Sequence, residues 1–435
     1  MTTQVAGETL PVREVGERRL DDYAPVVGEE VIREIRSLAL PLLGKQVLHI
    51  NSSPDGGGVA DILAALVPLL NDLGLKAEWR TIKGDALFFD ITKKLHNSLQ
   101  GDPVAWDRSM WDTWLRCNEQ NAQMLDPEHD VIIVHDPQPA AILHCLNQRH
   151  RNGVTKWLWR CHIDLTDASP EIWRRLQLYI RPYDAAEFSM EGFINGDYAG
   201  PRTFVSTPGI DPLDPKNLPM DPGTAREILA AFGIDCDRPF MAQVSRFDPW
   251  KDPLGVIDAY RLARARVPGL QLVMIGPIAA DDPEGMTFFE KTARRAGEDP
   301  DIHLLTTFKG VGDREVNAVQ TLADVVVQKS IREGFGLSAT GTLWHGKPVI
   351  AGRAGGLCLQ VIDGETGFLI DTTEECAEKV VMLLKDPALS AKLGERAREH
   401  VRKNFLITRY LRDSLLVYRE LLEENTSLAG TAPPP

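Results

Sequence analysis

The stretch Glu333-Gly334-Phe335-Gly336-Leu337 decides the fold class of this chain of 435 residues. It follows the apolar run 324–327 and opens a helical pattern that ends near 346–350. A strand that delivers a carboxylate and two glycines to a helix start is typical of a site for a sugar and its phosphate. Free backbone N–H groups and the helix dipole attract oxyanions there, and glycine lets a ligand approach the main chain closely.

Short apolar runs alternate with helical patterns along the chain, which predicts a parallel α/β fold. In the first half, strands are predicted at 46–50, 131–135, 157–161, 185–189 and 203–206. In the second half, they are predicted at 240–245, 270–275, 302–305, 324–328 and 348–351. Five prolines within 208–222 indicate a linker, because proline continues neither a ladder nor a helix interior. Two such halves are expected to leave a cleft, since open parallel sheets bind ligands at their carboxyl ends.

The composition limits the classes of function. A net charge of −14 disfavours nucleic acid as a partner, because phosphate backbones require a basic face. We expect no secretion signal and no membrane span, since no basic leader and no apolar run of about 20 residues is visible. The six cysteines are scattered without C-x-x-C pairs, which favours a reducing cytoplasm and argues against a zinc site. No metal and no other cofactor is expected.

Two cations follow the first strand of the second half. Arg246 and Lys251 lie after 240–245 in a loop that contains Pro249. They are compatible with an ordinary solvated loop, so replacing either with alanine is expected to leave the fold intact. They also suit an anionic sugar nucleotide, because a few cations create a local positive region in an acidic protein.

Polar residues also end the strands of the first half. His162 follows 157–161, and Asp136 and Gln138 follow 131–135. The same residues fit a buried core histidine and a turn-capping aspartate, so both interpretations stay open. The glycines 56–58 precede a helical pattern at 59–70, whose N-terminus can meet a phosphate.

These stretches together resemble the retaining sugar-nucleotide glycosyltransferases of the two-domain GT-B fold, and among them the trehalose synthases that transfer glucose. The resemblance covers residues 20–424 and includes 48–60, 134–139, 159–164, 188–193, 210–213, 332–337 and 364–369. It implies an α/β architecture of two Rossmann-like domains that face a central cleft. The implied boundaries are a disordered start at 1–20, an acceptor domain at 21–212, a donor domain at 213–405, a helix at 406–425 that crosses back, and a disordered tail at 426–435.

The resemblance also implies roles for individual residues. Arg246 and Lys251 would bind the donor diphosphate, Glu333 the donor-sugar hydroxyls, and His162 would face the reacting sugar. Glu333 also fits a purely structural role as a carboxylate that complements the helix dipole. The donor-binding candidates are Gly56, Gly57, Gly58, Gly334, Phe335, Gly336, Leu337 and Gly341. The acceptor-binding candidates are Asp136, Gln138, Asp164 and Glu191.

The sequence departs from the family pattern at two places on the donor side. The family has a second glutamate eight positions after the first, which holds the ribose hydroxyls, whereas this chain has Gly341. Losing a charged hydrogen-bond acceptor typically weakens binding by about 1.5–3 kcal/mol. The run Gly355-Gly356-Leu357-Cys358 stands where the family usually has Gly-Gly-Ile-Pro.

Three functions follow from the resemblance and from Gly341. The leading hypothesis is a retaining enzyme that moves glucose from a nucleoside-diphosphate glucose to glucose and makes trehalose or a close α,α-linked analogue. A retaining trehalose phosphorylase would need no ribose-holding glutamate. The third hypothesis is a catalytically weakened sugar-binding protein. The expected partners are the two substrates and, in a homodimer, a second copy of the chain.

Overall fold

The computed structural model describes residues 9–53, 57–146, 154–278 and 283–429, and these residues form two compact units. One unit comprises the chain up to Pro208 together with the segment from Ile407 onward, and the other comprises Gly209–Leu406. Each unit is built on a six-stranded parallel sheet.

The sheet of the first unit has the strand order β2-β1-β3-β4-β5-β6. Its strands are β1 Gln46–Asn51, β2 Lys76–Thr81, β3 Val131–His135, β4 Lys156–Cys161, β5 Ala185–Phe188 and β6 Arg202–Val205. The central strands β3, β4 and β5 are buried along their whole length, as expected for a parallel sheet covered on both faces. The crossover helices and short helices are α1 Ala24–Val27, α2 Glu29–Ala39, α3 Gly58–Asp72, α4 Ala86–Leu99, α5 Arg108–Gln123, α6 Ile142–Cys145 and α7 Pro170–Ile180.

The sheet of the second unit has the order β12-β11-β10-β7-β8-β9. Its strands are β7 Phe240–Val244, β8 Gln271–Ile275, β9 Ile302–Leu305, β10 Val325–Gln328, β11 Val349–Gly352 and β12 Gly367–Ile370. Its helices are α8 Pro222–Ala230, α9 Pro253–Arg264, α10 Pro283–Ala296, α11 Asp313–Leu322, α12 Leu337–Trp344, α13 Leu357–Gln360, α14 Thr373–Lys385 and α15 Pro387–Asn404. Two apolar clusters, one around Met241 and one around Phe240, form the core of this unit.

The last helix, α16 Ile407–Ala429, belongs to the first unit. Its buried face carries Tyr410, Leu411, Leu415 and Tyr418, which covers polar side chains of the first sheet. Short 3-10 turns occur at Leu20–Tyr23, Leu40–Leu42, Glu191–Phe193, Pro249–Lys251 and Thr307–Lys309.

All ten predicted strands are present, and the parallel α/β class is confirmed. Two further strands, β2 and β12, were not predicted. Both are edge strands, and β12 begins with a glycine, so neither carries the continuous apolar run by which buried parallel strands are recognised. The ends predicted to be disordered were 1–20 and 426–435. In their described parts the chain is ordered instead, since Leu10 and Leu20 are buried in the first unit and α16 continues to Ala429. Residues 1–8 and 430–435 lie outside the described residues.

Candidate active site

The candidate residues gather where the strand order of each sheet reverses. In the first sheet the order reverses between β1 and β3, and in the second between β7 and β10. Crossovers leave in opposite directions at such a point, so the loops part and leave a crevice at the carboxyl ends of the strands. Chain connectivity therefore provides one crevice in each unit.

In the second unit, a lysine and a glutamate from the two reversing strands form an ion pair. Lys251 Nζ, in the turn after β7, lies 2.5 Å from Glu333 Oε2, in the loop after β10. Both side chains are largely buried, at 14% and 8% exposure. Ser330 Oγ donates to the same carboxylate oxygen at 3.1 Å. A cation and a carboxylate are thus held side by side at the crevice of the second sheet.

The loop that carries Lys251 is fixed on both sides. The Asp248 carboxylate accepts the Lys251 backbone N–H at 3.2 Å and caps the turn Pro249–Lys251. Asp252 follows with a left-handed φ of 45° and pairs with Lys329, the residue after β10. Ile331 N–H donates to Trp250 O at 2.8 Å, so the two loops are joined through their backbones as well.

Arg246 is the accessible cation of this site. Its side chain is 46% exposed, and its Nη2 lies 3.4 Å from Oδ2 of the buried Asp248 carboxylate. The head group is therefore oriented by one carboxylate but remains open to solvent, and it can bind a phosphate with its other N–H groups.

The helix α12 begins beside the ion pair. Gly336 precedes it with a φ of 90°, and a Cβ there would lie 3.2 Å from Glu333 Cγ and 3.0 Å from Leu357 Cδ2. Ala339 N–H donates to Gly336 O at 2.9 Å and is the first amide paired within the helix. The amides of Leu337 and Ser338 precede it, and helix geometry gives them no partner inside the helix, so they can bind a ligand. Only glycine combines this backbone turn with such close approach.

The rest of the donor-side candidates lie around this helix start. Phe335 is buried, and its carbonyl accepts a hydrogen bond of 2.5 Å from Gln360, which in turn accepts from Thr340. Gly334 and Leu337 are partly exposed. These contacts hold the glycine-rich segment in place.

Gly341 is buried inside α12 and faces amide side chains. A Cβ there would lie 3.2 Å from Asn217 Oδ1 and 3.3 Å from Gln320 Nε2. Thr340 and Thr342 are both buried. The Thr340 hydroxyl donates to Gln360 Oε1, and the Thr342 hydroxyl donates to Ser338 O. The space that a glutamate would enter is lined by two amides instead.

In the first unit, Asp136 lies at the reversal point beside β4. It has a left-handed φ of 65°, and its Oδ1 accepts the backbone N–H of His162 at 2.8 Å. Burial raises the pKa of its carboxyl to about 6, against the opposing effects of that hydrogen bond and of the cation Arg160. A strained residue with a perturbed carboxyl at a strand end is a typical feature of functional sites.

The other acceptor-side candidates lie in the loops after β3, β4 and β5. Gln138 Oε1 is buried and has no hydrogen-bond partner among the described residues. Asp164 Oδ1 accepts from the backbone and hydroxyl of Thr166, and that hydroxyl also reaches Gly192 O at 3.2 Å. Glu191 is exposed beside it. The loops after β3, β4 and β5 are therefore neighbours at one edge of the sheet.

His162 is the end of a row of histidines that the sequence analysis did not recognise. His49 Nδ1 lies 3.0 Å from His135 Nε2, and His135 Nδ1 lies 3.0 Å from His162 Nε2. Tyr418 OH lies 3.3 Å from His49 Nε2. Desolvation lowers the pKa of His49 to about 3 and lowers the pKa of His135 and of His162 well below the ordinary range. The available signal was one histidine within β1, one at the end of β3 and one directly after β4, whereas nothing in the sequence indicated Tyr418.

The glycines after β1 lie at the start of α3. Gly57 and Gly58 are exposed, and a Cβ on Gly57 would meet no atom within 4 Å. Gly56 lies outside the described residues. Among the described residues no atom lies near the Cβ position of Gly57, and a phosphate at this helix start stays a prediction.

Within the described part of the chain, no group of three or more His, Cys, Asp or Glu side chains is arranged to hold a metal ion. The two carboxylates of Asp299 and Asp301, which are separated by one proline, both accept hydrogen bonds from Arg264 and are therefore paired with a cation of the chain itself. Among the same residues, no helix is long and apolar enough to cross a membrane.

Two family models match the chain, one in each unit. The model described as trehalose synthase, N-terminal domain, matches residues 49–195. The model described as glycosyl transferases group 1 matches residues 225–400. The two matches together include the reversal points of both sheets.

Curated relatives match over almost the whole chain. Trehalose synthase from Pyrococcus horikoshii is 43% identical over 408 residues, which is 93% of this chain and 97% of that protein. Trehalose synthase from Rubrobacter xylanophilus is 45% identical over 413 residues, 94% of this chain and 98% of that protein. A more distant relative, trehalose phosphorylase from Pleurotus pulmonarius, is 28% identical and matches 88% of this chain but 58% of its own length.

Solved structures identify the fold. The α,α-trehalose 6-phosphate synthase from Burkholderia multivorans has a TM-score of 0.70 at 17% identity and covers 90% of this chain and 100% of its own. At that identity the likeness concerns the fold alone, and it confirms the predicted GT-B class.

Proposed function

Because the chain belongs to the trehalose synthase family, we propose that it moves glucose from a nucleoside-diphosphate glucose to free glucose and forms trehalose with retention at the anomeric carbon. The family supports the coarser statement that the chain is a glycosyltransferase-type enzyme acting on trehalose.

The observation that carries the proposal is the Lys251–Glu333 pair. In a sugar nucleotide, the anionic phosphate is bonded directly to a ring that carries hydroxyls. A cation and a carboxylate 2.5 Å apart match these two neighbouring groups, with Lys251 toward phosphate and Glu333 toward sugar hydroxyls. The two side chains satisfy each other, which keeps the buried charges paired.

Departure of the nucleoside diphosphate is the step that this site favours. Negative charge develops on the leaving phosphate, and cations and amides already in position stabilise it most strongly. Arg246, Lys251 and the amides at the start of α12 would supply that stabilisation. Retention needs no carboxylate nucleophile if the acceptor hydroxyl attacks the same face and the leaving phosphate oxygen takes its proton.

The acceptor is proposed to bind at the first sheet. Gln138 Oε1, which has no hydrogen-bond partner among the described residues, can accept a hydrogen bond from a sugar hydroxyl. Asp136 lies in the same loop after β3, and His162 lies in the neighbouring loop after β4. Asp164 and Glu191 would complete the rim. Several hydroxyls can thus be recognised by different groups, which specificity for a small sugar requires.

A trehalose phosphorylase is the second candidate, and Gly341 favours it. Position 341 offers no carboxylate to a ribose diol, and buried Asn217 and Gln320 lie where one would reach. A donor without a nucleoside would not need that contact. A weakened sugar-binding protein is less consistent, because Arg246, Lys251 and Glu333 are all present.

A thermal-shift titration tests the proposal. Ligand that binds only the folded chain must raise its melting temperature. We expect at least one of UDP, ADP and GDP to raise the melting temperature, and glucose to add to the effect. A shift with inorganic phosphate but with none of the three nucleotides would overturn the nucleotide donor and favour the phosphorylase.

A further inference from the structure

The three histidines lie on one face of the first sheet because of its register. His49 pairs in register with Ile133, and His135 pairs with Arg160. Side chains alternate between faces along a strand, so His135, two residues after Ile133, shares the face of His49. His162, two residues after Arg160, shares it too. Each histidine is therefore a diagonal neighbour of the previous one, one step nearer the carboxyl edge.

The row is almost completely enclosed. His49, His135 and Tyr418 are 1%, 2% and 3% exposed, and His162 alone is partly open. The rings of His135 and His162 are nearly parallel, with an angle of 13° between their planes. The charged groups beside the row include Arg160, the buried Glu187 that lies 3.9 Å from it, and Asp136, and Arg160 lies over the ring of Tyr410 on α16.

The hydrogen bonds of the row constrain one another. A neutral imidazole carries one N–H and one acceptor nitrogen. When one ring donates through Nδ1, it must accept through Nε2, and the next ring must do the same. Five of the six ring nitrogens are engaged in the row, and His162 Nδ1 has no partner among the described residues. The direction chosen at one end therefore decides whether His162 Nδ1 is a donor or an acceptor.

Tyr418 selects the direction. A phenol is a good hydrogen-bond donor and a poor acceptor, since its oxygen lone pair is delocalised into the ring, whereas an imidazole nitrogen is a good acceptor. With Tyr418 OH as the donor to His49 Nε2, His49 Nδ1–H would donate to His135 Nε2, and His135 Nδ1–H would donate to His162 Nε2. His162 is left with its proton on Nδ1, the tautomer that free histidine disfavours.

We propose that Tyr418, His49 and His135 are positioning residues that fix the tautomer of His162, so that its Nδ1–H is presented as a hydrogen-bond donor to the acceptor sugar. The inference rests on the proposed function only for the identity of that sugar. A residue near the end of the chain would then control the chemistry at the end of β4, through neutral groups and without a charge in the core. The lowered pKa values of the three rings agree with this, because a charged ring would donate through both nitrogens and break the row.

Nitrogen NMR of the full chain labelled with ¹⁵N-histidine tests the tautomer directly and needs no substrate. The chain has 10 histidines, so the signals of His162 are assigned by their loss in His162→Gln. At pH 7.5 we expect His162 Nδ1 to be protonated and Nε2 to be unprotonated. A proton on Nε2, or a charged ring, would overturn the proposal.

Removing the Tyr418 hydroxyl tests its control of the row. In Tyr418→Phe the ring remains, and we expect His162 to shift toward the Nε2–H tautomer that histidine intrinsically prefers. Turnover should fall by about tenfold, less than the roughly 10²–10³-fold of a lost direct donor, with a weaker acceptor KM and an unchanged donor KM. An unchanged tautomer in Tyr418→Phe would remove Tyr418 from the row.

Tyr260→Phe is the matched control. It removes a buried hydroxyl that donates to Leu270 O in the other unit, and it should change neither the tautomer nor the kinetics. If the wild-type tautomer is as expected but no transfer to glucose is found with any nucleotide donor, the proposed function fails and the row stands. If transfer occurs with the opposite tautomer, the row fails alone.

Discussion

The Lys251 and Glu333 side chains are paired at 2.5 Å and largely buried, so each depends on the other. The loop position of Lys251 predicted that its removal would leave the fold intact, whereas the structure places Lys251 in a largely buried ion pair with Glu333. Breaking such a pair leaves an uncompensated charge and costs about 3–5 kcal/mol, whereas removing both partners costs much less.

Lys251→Met is therefore expected to lower the melting temperature and to abolish most turnover. In the double variant Lys251→Met/Glu333→Gln the melting temperature should recover toward the wild type, while activity stays lost. Thermal denaturation and initial rates of Lys251→Met, of Glu333→Gln and of the double variant measure this coupling. Additive losses of stability would show that the pair does not matter for folding.

The Arg246 side chain is 46% exposed, which agrees with the expectation that its replacement by alanine leaves the fold intact. We expect Arg246→Ala to reduce turnover by about 10²–10³-fold, because one preorganised cation is lost. Its unfolding free energy should change by no more than about 0.5 kcal/mol, as is usual for surface substitutions.

The control for Arg246 is Arg226→Ala in the same unit. Arg226 is similarly exposed, at 50%, and is also paired with an aspartate, but it lies on α8 and away from the reversal point. Its loss should leave the rate unchanged. Equal rates in the two variants would remove Arg246 from the donor site.

At the scale of elements, the start of α12 depends on one glycine. Gly336 combines a φ of 90° with close contacts to Glu333 and Leu357, so Gly336→Ala adds strain and also displaces the carboxylate. Gly233 has a φ of 79° but no atom within 4 Å of an added Cβ. Both alanine variants should lose about 1–3 kcal/mol of stability, and only Gly336→Ala should lose donor affinity and rate. The comparison is made by denaturation and by donor KM, and similar kinetics in both would contradict the role of the α12 start.

Much of this could be predicted from the sequence, since buried parallel strands and glycine-rich helix starts are local patterns. The edge strands β2 and β12 were missed because their residues alternate or begin with glycine. The contacts between Lys251 and Glu333, 82 positions apart, and between Tyr418 and His49, 369 positions apart, were not predictable, because they follow from sheet order and register.

At the scale of the molecule, the stability of the chain should depend on pH through its buried histidines. The folded pKa values of His49, His135 and His162 lie below the unfolded value of about 6.5, so the unfolded chain binds more protons as pH falls. The neutral histidines therefore stabilise the folded chain fully above about pH 6.5, and this contribution is lost as the pH falls below that value. Asp136 opposes this, because its folded pKa of about 6 keeps one proton that the unfolded chain releases above about pH 4.

Three histidines outweigh one aspartate, and burial also lowers the pKa of His129, His303 and His345, so the free energy of unfolding should fall as the pH drops below about 6.5. Urea denaturation of the full chain at a series of pH values measures the slope of that free energy against pH. His49→Gln should reduce the difference in bound protons between the unfolded and the folded chain by about one, and so make the slope shallower. A stability that stays constant or rises from pH 6 to pH 4 would contradict the neutral histidine row.

The central claim is that the chain joins two glucose units with a nucleotide as leaving group. The most direct measurement is NMR of the product formed by the full chain from glucose and UDP-, ADP- or GDP-glucose labelled with ¹³C at the anomeric carbon, with Glu333→Gln as the inactive control. We predict α,α-1,1-linked trehalose labelled in one ring, together with one equivalent of nucleoside diphosphate. No trehalose from any nucleotide donor, with glucose 1-phosphate released from trehalose and phosphate instead, would contradict the account.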